Sequence, residues 1–245
     1  MIPIIDLSGE PGEPVSLPYS NDGAAIINDL HQVESYFRNV DLTIQLGQIR
    51  PCKKYSTLQS IIRSCPFLGA PKLKSDLIAD RNRVFAIALI SFDHQDPLHH
   101  RFLTTIYAKL IKQPIPSRNF YGNHWERIGF QGTDPSTDLR GVGMLGVYQI
   151  LYFALSPRRQ ALLQAIYQLS LDPVQNFPFA AMSTNVTQII LQVLRAGRLN
   201  RQLNKLKDVF EVVNDFYCDL FYQLYHVWRD GKKTIKDAGY VLKGR

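Results

Sequence analysis

A turn-rich segment contains the residues of this sequence whose types and spacing could act on a partner molecule. Residues 124–143, HWERIGFQGTDPSTDLRGVG, hold four glycines and a proline among several Thr and Asp residues, which specify tight turns. Thr137 and Asp138 are favourable N-cap residues, so we expect them to start the apolar helix that follows. Arg140 then lies in the first turn of that helix, where the helix dipole favours negative charge. Local stability therefore does not explain this arginine.

Two interpretations of Arg140 follow from its neighbours. The side chain could pair with Asp134 or Asp138 and hold the turn together. Alternatively, Gly141 and Gly143 place its guanidinium beside a backbone that a partner can approach closely, which suits a cation offered to an external anion. A guanidinium inserted into a GTPase site neutralises charge on the transferred phosphoryl group, an effect of about 10³ to 10⁵ in rate. We favour the second interpretation, with the ion pair as its alternative.

Two blocks of the sequence resemble those of a known domain family. The first comprises Trp125, IGFQG at 128–132, DP at 134–135, TDLRG at 137–141, Gly143, Leu145 and LYF at 151–153. The second comprises FPFAA at 177–181, NVT at 185–187 and GRLN at 197–200. In this order the blocks resemble the ELMO domain, over roughly residues 75–230. Leu139 stands where the family usually has an aromatic residue before the arginine.

The resemblance implies an activity and a set of site residues. Short ELMO-domain proteins act as GTPase-activating proteins (GAPs) for Arf- and Arl-family small GTPases, and their essential arginine matches Arg140. GTP and magnesium then belong to the partner, and this chain, which has no Walker-type phosphate loop, is expected to hold no cofactor or metal. The partner-binding or loop-shaping candidates surround the arginine: Gln131, Gly132, Asp134, Thr137, Asp138, Gly141 and Gly143. Trp125 and Phe130 are expected to support the loop from the core, as large aromatics beside glycines do.

Two other functions stay open from the sequence. A non-catalytic adaptor would use the same domain to bind a small GTPase or its regulator, as in the long scaffold branch of the family. The armadillo-like, PH and proline-rich regions of that branch do not fit in 245 residues. In a purely structural domain, the glycine turn would serve folding alone. Replacing Arg140 by Lys separates the first two functions, because an adaptor tolerates a bare charge whereas a catalytic arginine needs its planar fork.

A histidine-rich stretch is the other candidate for chemistry. His94, Asp96, His99 and His100 lie close together, but adjacent histidines on a helix point about 100° apart and cannot easily face one ion. We therefore expect a solvated turn here, and no metal site.

The charge of the chain favours anionic partners without choosing one. The formal net charge is +7 and the sequence pI is about 9.3. Weak peripheral contact with an anionic membrane is compatible with this charge. The cations of the C-terminus are spread widely, which favours a solvated tail: Arg229, Lys232, Lys233, Lys236, Lys243 and Arg245. No nucleic-acid-binding module accompanies the charge, so nucleic acid is not an expected partner.

The cysteines and the hydropathy bear on the compartment. Cys52, Cys65 and Cys218 have neither zinc-ligand nor redox spacing, which favours free thiols in a reducing environment. The first residues show no signal-peptide pattern. The expected location is therefore intracellular, in the cytoplasm. The most apolar stretch, Met144–Leu155, is shorter than the roughly 20 residues of a membrane span, so we predict a buried core helix and no transmembrane segment.

Helical periodicity dominates the chain after residue 75. It predicts helices over Leu77–Phe92, Leu98–Ile111, Gly141–Leu155, Pro157–Leu169, Phe179–Leu194 and Asn200–Arg229. A short helix is predicted over Ala24–Phe37, after a poorly ordered lead-in over 1–23, and residues 38–75 are predicted as loop with a helical turn or two. The predicted fold is thus all-α. It comprises an N-terminal extension with a short helix over 1–74, a single multi-helix ELMO-type domain over 75–230, and a basic C-terminal tail over 231–245.

Overall fold

The computed structural model describes residues 26–49, 71–116 and 120–243, and these ranges contain helices and turns but no strand. The all-α prediction is confirmed. The helices are α1 Leu30–Asn39, α2 Thr43–Gln48, α3 Ile78–Ile87, α4 Pro97–Ile111, α5 Gly143–Leu155, α6 Gln160–Ser170, α7 Phe179–Arg195, α8 Asn200–Leu206, α9 Val209–Asp230 and α10 Ala238–Lys243. Short 3-10 helices span Ser75–Leu77, Asn123–Ile128, Pro135–Gly141 and Ile235–Asp237. The predicted lead-in over 1–23 lies outside the described residues, as do Cys52 and Cys65.

Helix α5 forms the centre of the domain. All of its residues are buried, because its sequence is apolar on every face and such a helix is stable only inside a core. Helices α1, α4, α6, α7 and α9 all contact it. The prediction of a buried core helix here is confirmed. None of the helices in the described ranges has both the length and the apolar character that crossing a bilayer requires.

The first helix belongs to the same core. Val33 and Phe37 of α1 are buried, and the Phe37 ring stacks on Tyr148 of α5 with 4.6 Å between centroids. Arg38 at the end of α1 pairs with Asp208, with 2.8 Å between Nη2 and Oδ2. The short helix predicted within residues 1–74 therefore packs against the domain rather than leading away from it.

The prediction of one long helix over Asn200–Arg229 is wrong. Lys207 adopts a left-handed backbone conformation, with φ of 61°, and ends α8. The carboxylate of Asp208 then accepts a hydrogen bond from the Glu211 backbone and starts α9. The apolar spacing continues across this break, and lysine is an uncommon residue for a left-handed position, so periodicity alone did not reveal it.

Two further boundaries differ from the prediction. Helix α3 ends at Ile87, five residues earlier than the predicted Phe92, and α6 begins at Gln160 instead of Pro157. At the C-terminus, part of the predicted tail folds: Thr234 and Asp237 form a capping box, and α10 follows. Val241 and Leu242 of α10 are half-buried against the core. The described part of 231–245 is therefore folded, and α10 places two apolar side chains against the domain, although Ile235 and Tyr240 stay exposed.

Candidate functional site

The turn-rich segment forms a loop that two contacts attach to the core. We call residues 129–143 the signature loop. Gly129 has a φ of 86°, and a Cβ there would overlap the backbone of Pro178 and Phe179, so only glycine fits. Its carbonyl accepts a hydrogen bond from Ala181 N at 3.2 Å, which attaches the loop to the start of α7. At the other end, Met144 N donates to Ile90 O at 3.0 Å. Both ends of the loop are thus fixed.

Aromatic side chains fill the space beneath the loop. Trp125 is fully buried, and its indole nitrogen donates to Phe120 O at 2.6 Å. Phe130 is 3% exposed and meets Trp125 edge to face, with 6.1 Å between centroids. We call Trp125 and Phe130 the floor of the loop. Their position is the one expected for supporting residues, while their contribution to stability and activity stays a prediction.

The two carboxylates of the loop are used in closing it. Asp138 Oδ2 accepts a hydrogen bond from Gln131 N at 2.6 Å. Asp134 Oδ1 accepts from Ser136 N at 2.9 Å, and its Oδ2 lies 3.7 Å from Nε2 of His94. Neither carboxylate pairs with Arg140 in the structure. The ion pair that was the alternative interpretation of Arg140 is therefore absent from the described contacts.

The predicted start of the central helix is wrong. Thr137 and Asp138 lie inside the 3-10 helix Pro135–Gly141, which Asp134 caps, and the residue before α5 is Val142, without a side-chain cap. The start of α5 is set instead by Gly143, which has a φ of 53° and whose Cβ would overlap the carbonyl oxygens of residues 88 and 90. The sequence could not reveal these carbonyls, because they come from a distant turn.

Arg140 accordingly lies just before α5 and not in its first turn. It is the basic residue in the last turn of the 3-10 helix, where the dipole favours a cation. The dipole conflict inferred from the sequence therefore does not exist. Its side chain is exposed, and within the described residues it has no hydrogen bond or ion pair. The reason to assign this arginine a partner is its lack of contacts.

Arg140 is not the sole exposed residue of the described loop. Gln131, Gly132 and Thr137 are exposed on the same loop, and we call them with Arg140 the rim. A Cβ at Gly141 would approach the amide nitrogen of Gln188 on α7, to 2.8 Å. Sequence spacing does not single out Gln188, since only the packing of α7 brings it beside Gly141. The rim thus combines one positive charge with three uncharged residues.

The prediction of a solvated turn for the histidine stretch is wrong. His99 is buried: its Nδ1 accepts from Asp93 N at 2.9 Å, and its Nε2 is 2.9 Å from the hydroxyl of Tyr36. His100 Nε2 is 3.0 Å from His94 O. Asp96 caps α4 by accepting from Leu98 N. Burial lowers the pKa of both His99 and His100.

The histidines are structural parts of the region below the loop. His100 lies 4.2 Å from the ring of Phe120, which in turn lies 5.3 Å from Trp125. His94 connects the region to Asp134, a link that sequence spacing does not indicate. In the parts of the chain that the structure describes, no three His, Cys, Asp or Glu side chains are arranged to hold a metal ion.

Comparison with known proteins identifies a family. The model of the ELMO/CED-12 family matches residues 82–242. ELMO domain-containing protein 3 from Homo sapiens is 41% identical over 208 residues, which is 85% of this chain and 54% of that protein. ELMO domain-containing protein 2 from Homo sapiens is 33% identical over 220 residues, 87% of this chain and 71% of that protein. ELMO domain-containing protein 1 from Bos taurus is 28% identical over 171 residues, 62% of this chain and 51% of that protein.

These matches confirm the resemblance of the two sequence blocks to the ELMO domain. The chain spans about half the length of the ELMO domain-containing protein 3 sequences that it matches. No solved structure matches it.

Proposed function

The chain belongs to the ELMO/CED-12 family, and on that premise we propose that it is a GAP for Arf- or Arl-family small GTPases. In this proposal Arg140 enters the nucleotide site of the partner, which already holds GTP and magnesium. The observation that carries the proposal is the exposed guanidinium of Arg140, which has no described partner in its own chain. Because the guanidinium of Arg140 forms no bond with the described residues, it can bind an anion of another molecule.

The anchoring of the loop supports a catalytic use of this arginine. Catalysis by an inserted guanidinium is mostly positioning, because the group must meet charge that develops on the phosphoryl oxygens. The backbone bonds at Gly129 and Met144 fix the ends of the loop, and Asp138 closes its middle. The signature loop would therefore hold the backbone of Arg140 in place before the partner binds, while the side chain of Arg140 keeps the freedom to extend.

The proposal is tested by single-turnover GTP hydrolysis across a panel of Arf and Arl proteins. We expect the chain to stimulate at least one of them, and Arg140→Ala and Arg140→Lys to remove most of an effect of about 10³ to 10⁵ in rate. The lysine variant is the sharper of the two, since it keeps the charge and loses the planar fork. Both variants should retain most of their binding to the GTP-loaded partner.

Arg158→Ala is a matched control. Arg158 is also exposed, but it follows the far end of α5, about 20 Å from Arg140 along a helix of 13 residues. We expect full stimulation from this variant. Full activity of Arg140→Lys would remove the catalytic role, and binding of a GTP-loaded partner without any stimulation would favour the adaptor function.

A further inference from the structure

A second charged surface lies away from the signature loop. Six exposed cations form it, and we call them the basic face: Lys72, Lys74, Arg198, Arg201, Lys205 and Lys207. They come from two short segments, residues 71–75 and residues 195–207, and neither segment contains an Asp or Glu. The family resemblance assigned no role to these residues.

Two asparagine side chains bring the segments together. Asn200 Nδ2 donates to Pro71 O at 2.8 Å, and Asn204 Nδ2 donates to Lys72 O at 2.8 Å. Asn204 Oδ1 also accepts from Lys74 N at 2.9 Å. These bonds hold residues 71–74 along α8, so cations that are more than 120 residues apart in sequence share one surface.

The apolar residues of both segments fix which way the cations face. Leu203 of α8 is fully buried, and Leu73 is half-buried against the core. Lys72 and Lys74 flank Leu73 and are exposed, as are Arg201 and Lys205, which lie one helical turn apart on α8. The cations therefore all lie on the solvent side of an anchored scaffold.

The positive charge of this face is not neutralised within the described chain. None of the six cations forms an ion pair with a described residue. The first acid after α8 is Asp208, which is paired with Arg38 and caps α9. Asp76 is the acid that follows Lys74. Clustered like charges repel one another, so an external polyanion would relieve a repulsion that no ion pair of the described residues offsets.

We propose that the basic face docks on an anionic phospholipid leaflet. Six cations fall within the four to eight that recognise anionic lipid. Leu206 is 58% exposed between Lys205 and Lys207, so an apolar side chain is available to enter the interfacial region. This mixture of cations and one exposed leucine, with no carboxylate in either segment, suits a leaflet better than the mixed charges of a protein surface.

The basic face and the rim are connected by one helix. Gln188, beside Gly141, lies seven residues before Arg195 at the end of α7, a distance of about 10 Å. The basic face begins just beyond that end. A chain held on a membrane by this face would keep the rim near the surface, although the docking itself does not depend on the GAP activity.

Vesicle co-sedimentation tests the proposal. We expect the chain to bind vesicles of phosphatidylcholine and phosphatidylserine, to lose this binding as salt increases, and not to bind phosphatidylcholine alone. The double variant R201Q/K205Q should bind about thirtyfold more weakly, since each cation near an anionic leaflet contributes roughly 1 kcal/mol. Leu206→Ser should weaken binding severalfold without changing the net charge.

The double variant K232Q/K236Q is the matched control. It removes two exposed cations near the C-terminus and so has the same net charge as R201Q/K205Q. We expect it to bind nearly as well as the unmodified chain, with both double variants melting at the unmodified temperature. Equal losses in the two double variants would overturn the proposal, because net charge alone would then explain the binding. Binding to polyglutamate beads without vesicle binding would also overturn it and assign the face to an acidic protein.

Discussion

The floor and the rim of the signature loop differ in what their side chains contact. On the floor, Trp125 is fully buried and donates a hydrogen bond to Phe120 O. On the rim, Arg140 is exposed and has no described partner. The two residues are fifteen positions apart in one turn-rich segment. This difference indicates that stability and partner recognition are separate properties of the loop, so single substitutions should affect them separately.

The largest effect is expected from the rim. Arg140→Ala should reduce stimulated GTP hydrolysis about 10³-fold or more while leaving the melting temperature unchanged, because no contact within the described chain is lost. Hydrolysis and thermal unfolding should be measured on the same preparation. A clearly lower melting temperature would show that Arg140 takes part in a structural network and would break the comparison.

A substitution in the floor should, unlike Arg140→Ala, affect stability first and activity as a consequence. Trp125→Ala removes a large buried side chain, and we expect it to lower the free energy of unfolding by about 3–5 kcal/mol. Activity should fall as well, since the loop would lose its support. Chemical denaturation measures the first effect. Phe130→Leu is a milder companion that keeps an apolar group in place, and an unchanged stability in Trp125→Ala would contradict the supporting role.

Asp138 closes the signature loop beside the rim, and its replacement should have an intermediate effect. Its carboxylate accepts the Gln131 backbone hydrogen bond at 2.6 Å. Asp138→Ala leaves that donor without its acceptor, so we expect a loss of stability of about 1–2 kcal/mol and a partial loss of stimulation. Asp138→Asn retains an acceptor oxygen and should lose less of both. If the two variants were equally impaired, the charge of Asp138 would matter more than its hydrogen bond.

The elements that local periodicity encodes could be predicted from the sequence. The apolar run of α5 and the spacing of α4 and α7 predicted helices close to those observed. Features that depend on residues distant in the sequence could not be predicted. The start of α5 depends on Gly143 packing against carbonyls of residues 88 and 90, and the break at Lys207 interrupts an apolar pattern that continues across it.

The candidate site likewise has one part that the sequence predicts and another that it does not. The composition of the segment identified the loop and its arginine, because glycine, proline and Asp are residue types that indicate turns. The contact between Asp134 and His94 and the burial of His99 follow from packing between segments, which spacing does not encode.

The smallest expected effect is a pH dependence of stability that arises below the floor. Burial lowers the pKa of His99 and His100 in the folded chain, so the unfolded chain binds protons more readily as the pH falls through the ordinary histidine range. The stability associated with their neutral forms is complete above a pH of about 6.5 and decreases below it. Asp96, whose Oδ2 is 3.6 Å from His99 Nε2, and Asp93 oppose this shift without reversing it. The melting temperature should therefore decrease between pH 7 and pH 5.5.

In His99→Gln, which does not titrate and keeps polar atoms near Asp93 and Tyr36, the decrease should be smaller even though the starting stability is lower. An equal decrease in melting temperature in the unmodified chain and in His99→Gln would show that groups other than His99 cause the pH dependence.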